Sequence, residues 1–171
     1  VSKCMALENP IILTLQLDET SQSFFDSKRQ AYFPVDRNFL RAHLTLFHHL
    51  PPEHYQQLLA DVEVVCQKQE VLPLQVSEVK MIGRGVAYKL ESERLLYLHH
   101  MLQQRWKPWL IPQDKQRLWP HVTVQNKVQA AQAKALHQQI SSVFKPFTAS
   151  GIGLQLWEYK GGPWEQLQQV S

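Results

Sequence analysis

His43-Leu44-Thr45-Leu46-Phe47 and His121-Val122-Thr123-Val124-Gln125 are two copies of one pattern, in which imidazole and hydroxyl alternate with aliphatic carbon. Side chains at i, i+2 and i+4 of a strand point to one face. A strand over 42–47 therefore places His43, Thr45 and Phe47 on one side and Leu44 and Leu46 on the other. A strand over 121–125 does the same with His121, Thr123 and Gln125 against Val122 and Val124. Each strand turns its aliphatic face to a core and its histidine and threonine to a cleft.

The context of each copy is also repeated. The apolar run 11–17 reads as a buried strand, and Asp18 or Thr20 caps a helix that carries Phe24 and Phe25 inward until Pro34 stops it at about 33. The first motif strand follows. After Pro51-Pro52 a helix spans 53–69, and strands over 74–81 and 86–90 are joined at Gly83-Arg84-Gly85, where glycine permits a tight turn. Ser92 caps a further helix that ends before Pro108, and a loop over 109–119 leads into the second motif strand. A helix over 130–144, a strand over 153–160, the turn Gly161-Gly162-Pro163 and a short helical tail complete the chain. Strand, helix and motif strand over 11–47 thus recur over 86–125, a loose internal duplication. The pattern predicts an α+β fold of antiparallel sheets with helices on their outer faces.

Composition narrows the function. With 171 residues, 44% hydrophobic and 19% charged, the chain reads as an ordinary globular domain, and a net charge of +3 is too small to argue for a long nucleic-acid footprint. No apolar run approaches a membrane span, and no leader pattern opens the sequence. The expectation is a cytoplasmic protein, monomeric and without an obligate protein partner. Cys4 and Cys66 are too few for a disulfide framework and are expected as free thiols.

Two facing motif strands would hold two imidazoles and two hydroxyls. Phosphodiester cleavage by water needs a base for the nucleophile's proton and an acid for the departing oxygen, on opposite sides of an in-line phosphorus. Histidine titrates near neutral pH and can be either. Threonine hydroxyls can hydrogen-bond the non-bridging oxygens.

On these two motifs and their separation, the sequence resembles the 2H phosphoesterases, the family of bacterial 2′-5′ RNA ligases and 2′,3′-cyclic nucleotide phosphodiesterases. The resemblance implies one bilobal domain over 1–171, with two pseudo-symmetric lobes and the active-site groove between their sheets. It implies His43 and His121 as an acid-base pair, Thr45 and Thr123 as phosphate-oriented hydroxyls, and no metal or cofactor. The implied partner is a small nucleotide or an RNA terminus bearing a cyclic phosphate or a 2′-5′ linkage.

Around the motifs, Arg41 and Arg117 precede the two strands and suit phosphate. Phe47 could stack on a base or close the core, and Tyr159 belongs to an aromatic and basic cluster with Trp157, Lys160 and Trp164, of which the tryptophans are read as packing. His48, His49 and His54 lack companion ligands at metal spacing, and His48 and His49 are read as strand-end or turn residues. His99, His100 and His137 are read as helix-surface residues. Two rival functions stay open at this level: a non-catalytic module that binds RNA ends, and a hydrolase whose metal is held by histidines.

Overall fold

A computed structural model describes residues 6–171, and Cys4 lies outside that range. The hydrophobic run forms β1 (Ile11–Leu17), and Asp18 then caps α1 (Glu19–Tyr32) by accepting the Ser21 N–H at 3.1 Å. The same carboxylate accepts the Ser150 N–H at 2.8 Å, so one cap also ties the helix start to a distant strand. The chain continues through β2 (Leu44–Leu50), α2 (Tyr55–Lys68), β3 (Leu72–Met81) and β4 (Val86–Glu91). It then forms α3 (Glu93–Trp106), β5 (His121–Gln125), α4 (Ala130–Ser141), β6 (Phe147–Tyr159) and β7 (Trp164–Val170). Ser92 caps α3 by accepting the Leu95 N–H. In the β3–β4 turn Gly83 has φ +59°, and a Cβ at Gly85 would lie 2.0 Å from the Gln125 carbonyl oxygen, so neither position accommodates a side chain without strain.

All strand pairs are antiparallel, in the order β2-β1-β6-β3-β4-β5 with β7 also on β6. The order is symmetric about the β6–β3 pair: β1-α1-β2-α2-β3 maps onto β4-α3-β5-α4-β6. The two sheets expected from the duplication are one continuous curled sheet, because β6 belongs to both halves. Its first residues pair with β3 from Leu72↔Gly151 to Val76↔Phe147, and the rest pair with β1 from Ile11↔Glu158 to Leu17↔Gly151. β6 therefore starts six residues before the predicted position. The tail is likewise a strand and not a helix. Its Glu, Leu and Gln residues favour helix in isolation, but the open edge of β6 offers a ladder from Leu154↔Val170 to Tyr159↔Trp164.

The helices cross between the halves. Phe24 and Phe25 of α1 make edge contacts with Tyr88 of β4, and Phe24 does so with Phe147 of β6, while Trp106 and His99 of α3 pack on Phe47 of β2. Phe25, Phe47, Tyr88 and Trp106 are all essentially inaccessible. Burial of each such side chain contributes about 1.5–3 kcal/mol, so these crossings hold the two halves of the sheet against the same core. His99 is accordingly an interior residue, correcting the surface placement: its Nε2 lies 2.9 Å from the Leu46 carbonyl and its ring stacks on Phe47 at 4.6 Å.

Candidate active site

β2 and β5 are the two ends of the strand order, and the curl of the sheet brings them alongside one another. Both carry a bulge at the same point of the motif. Thr14 pairs with Thr45 and its neighbour Leu13 with Phe47, which skips Leu46. Ala87 pairs with Thr123 and its neighbour Val86 with Gln125, which skips Val124. A bulge places two successive residues against one on the partner and breaks the period of two. The histidine and threonine of each motif remain half-exposed, whereas Leu46 with Phe47 and Val124 with Gln125 turn inward in succession.

The two histidines are held in the same way. His43 Nδ1 lies 2.8 Å from the Arg41 carbonyl oxygen, and His121 Nδ1 lies 2.7 Å from the Trp119 carbonyl oxygen, each two residues upstream. A carbonyl can only accept, so Nδ1 carries the proton and donates. In the neutral ring Nε2 is then the lone-pair nitrogen. Each imidazole also meets a tryptophan: Trp164 lies 4.6 Å from His43 between ring centres, and Trp119 stacks on His121 at 4.3 Å. Burial, opposed by the bond to Arg41, pulls His43 down to about 4, with the charges of Arg29, His121 and His48 acting the same way. Burial also lowers His121, again with His48 contributing.

Two further groups shape the site and carry no motif in the sequence. Arg29 lies on the buried stripe Ser21-Phe25-Arg29 of α1, where the spacing of four makes an inward arginine visible in retrospect. Its Nε donates to Asn38 Oδ1 and the Leu40 carbonyl, a terminal nitrogen donates to the Thr123 carbonyl, and the guanidinium lies over the Phe33 ring. One side chain thus joins β5 to the segment that enters β2. Burial pulls it down to about 10, so it stays charged at neutral pH. Asp114, buried in a short 3-10 turn (Pro112–Lys115), accepts the backbone N–H groups of His48 and His49 at 2.8 and 2.9 Å and faces His48 Nδ1 at 3.2 Å. Its signal in the sequence is slight, a lone acid in a proline-bounded loop.

A model of the 2′-5′ RNA ligase superfamily matches residues 17–163. The chain belongs to this superfamily. Membership bears out the resemblance to the 2H phosphoesterases drawn from the paired motifs, and the solved structures that resemble the chain agree on the fold. TT0787 of Thermus thermophilus superimposes with a TM-score of 0.68 at 16% identity, covering 95% of this chain and 97% of that one. E. coli LigT complexed with 3′-AMP gives 0.58 at 15% identity, covering 94% and 96%. E. coli LigT complexed with NADP+ gives 0.56 at 14% identity, covering 95% and 98%. No curated protein matches the sequence.

Set against this superfamily fold, the remaining sequence candidates divide. Phe47 is fully buried between His99 and Trp106 and is unavailable to a base, because the bulge turns it from the histidine face into the core. Gln125 is displaced inward for the same reason. Arg41 lines the same hollow as His43, Trp157 and Trp164, but its guanidinium is engaged with Asp26, with Nε at 3.0 Å and a terminal nitrogen at 2.8 Å from Oδ2. Arg117 lines a different hollow, on α3. Tyr159 is exposed at the end of β6 opposite Trp164 and does not line the His43 hollow, which Trp164 itself enters. Among the described residues no three histidines, cysteines or acids are grouped to hold a metal ion; His48 is committed to Asp114 and His54 stacks on Trp109. Among those residues no helix is long and apolar enough to cross a membrane.

Proposed function

We propose that the chain is a phosphodiesterase that opens 2′,3′-cyclic phosphates, on a nucleotide or an RNA end, to 2′-phosphates by two-histidine acid-base chemistry. The observation that carries this is the matched pair His43 and His121, on adjoining strands, each with Nδ1 tied to a carbonyl and Nε2 left for chemistry. In the forward reaction one Nε2 takes a proton from water as its oxygen bonds to phosphorus. The bond from phosphorus to O3′ breaks, and the other histidine, protonated at Nε2, supplies the proton to O3′. With a ribose 5′-hydroxyl in place of water the same exchange forms a 2′-5′ linkage. Thr45 and Thr123 donate hydrogen bonds to the non-bridging oxygens, where charge is held in the transition state. No step calls on a metal. The nucleotides bound to E. coli LigT support a nucleotide-sized ligand for this fold.

The test is turnover of 2′,3′-cyclic AMP and of an RNA with a cyclic end by the wild type, His43→Ala and His121→Ala. Each variant is expected to lose at least about 10²-fold in kcat, the contribution of a positioned proton donor or acceptor. A wild type that binds the nucleotide product but turns over neither substrate would replace this reading with that of a binding module.

A further inference from the structure

Arg117 opens onto a hollow of about 620 Å³ between the outer side of α3 and the loop that follows it. Lys107, Lys115, Arg117 and His100 line it together with Tyr97, and no acidic side chain does. The three permanent cations are exposed, and none forms an ion pair among the described residues. Tyr97 is 67% exposed, an unusual position for an aromatic ring with no packing duty. The walls are fixed in place: Gln103 Nε2 donates to the Asp114 and Gln116 carbonyls, fastening the loop to the helix.

From this hollow the chain runs directly into the second motif strand. Arg117 is four residues before His121, so their Cα atoms lie within about 14 Å even if the segment is fully extended. The same loop is fastened to the first motif strand, because Asp114 accepts the His48 and His49 N–H groups of β2 and faces His48 Nδ1. Unpaired cations that track a chain of phosphates, beside an aromatic ring on which a base can stack, are what a single-stranded nucleic acid requires. A mononucleotide held at His43 and His121 would leave them unused.

We infer that the hollow of Lys107, Lys115, Arg117 and Tyr97 binds the phosphates and a base of an RNA strand whose terminus lies at His43 and His121, which makes RNA ends the preferred substrate class. The inference rests on the proposed phosphodiesterase reading for the terminus but concerns the strand beyond it.

The experiment measures binding, so that it stands apart from turnover. A fluorescein-labelled pentaribonucleotide ending in a 2′-phosphate is titrated by anisotropy, and adenosine 2′-monophosphate by calorimetry. The wild type is expected to bind the pentamer at least tenfold more tightly. Lys107→Gln/Lys115→Gln, Arg117→Gln and Tyr97→Ala, all at exposed positions, are expected to unfold at the wild-type temperature and to shrink that preference at least fivefold. With all three cations replaced, the salt dependence should lose about 0.7 per contact for a single strand, a slope change of about two. Equal affinities for the two ligands in the wild type, or a pentamer affinity untouched by all of the variants, overturns the inference. A preference that follows the variants in a protein that opens no cyclic phosphate sinks the phosphodiesterase reading and leaves the RNA site intact.

Discussion

The depressed histidines give the pair a definite pH behaviour. A working pair has one ring neutral and the other protonated, and the free protein holds that state only between the two titrations. One lies at about 4 for His43 and the other below the ordinary 6.5 for His121. The profile of kcat/KM on a cyclic nucleotide is expected to peak below pH 6.5 and to fall on the alkaline side as the acid loses its proton. The kcat profile should extend to higher pH, because the bound phosphate anion favours the protonated ring; coincident profiles peaking above pH 7 would contradict it. Arg29 acts at the same scale. Arg29→Met leaves the Thr123 and Leu40 carbonyls and Asn38 Oδ1 without their donor and is expected to cost about 2–3 kcal/mol in denaturant unfolding. Arg29→Lys should recover little, since one ammonium cannot reproduce a planar fork with separated nitrogens. Of these residues His43, Thr45, His121 and Thr123 are legible in the sequence because the pattern is doubled. Arg29 and Asp114 are not, because an arginine in a helix and an acid in a loop are ordinary until their partners are known.

At the level of elements, the bulges in β2 and β5 and the strand β7 matter most. Strict alternation predicts Phe47 and Gln125 on the histidine face, and one skipped residue in each strand sends both inward. Nothing in either pentapeptide announces the bulge, since its register is set by β1 and β4 across the ladder. β7 departs from the expected helix for a related reason: a strand on an edge owes its state to its neighbour. Its consequence for the site is Trp164 over His43. Trp164→Ala is expected to admit water to the imidazole and raise its titration from about 4 toward 6.5, followed through the ring Cε1–H resonance by NMR. An unmoved titration would show that the desolvation comes from elsewhere.

The whole molecule couples fold and titration. His43, His99 and His121 are all lowered in the native state, chiefly by burial, while the unfolded chain takes up their protons near the ordinary 6.5. Between these values the unfolded state binds more protons, so stability is full above about pH 6.5 and falls as the pH drops, for His43 down to about 4. The stability contributed by the lowered carboxylates Asp18 and Asp114 is present above their ordinary 3.8 and is lost only as the pH falls below it. The melting temperature is expected to fall steadily from pH 7 to pH 4.5, and more gently in His99→Leu; a flat curve over that range would refute the histidine account. By itself the sequence determined the strands and helices with strong periodicity, the cap at Ser92, the choice of Asp18 or Thr20 for the first cap, the repeated strand-helix-strand order and the paired His-x-Thr groups as candidates for the site, because these depend on residue type and short spacing. The tertiary structure alone decided that one curled sheet replaces two, that α1 and α3 cross to opposite halves, that Phe47 is core, and which tryptophan covers which histidine. Those outcomes depend on pairings between residues far apart in the chain, such as Thr14 with Gln155 or Arg29 with Thr123, which no local pattern encodes.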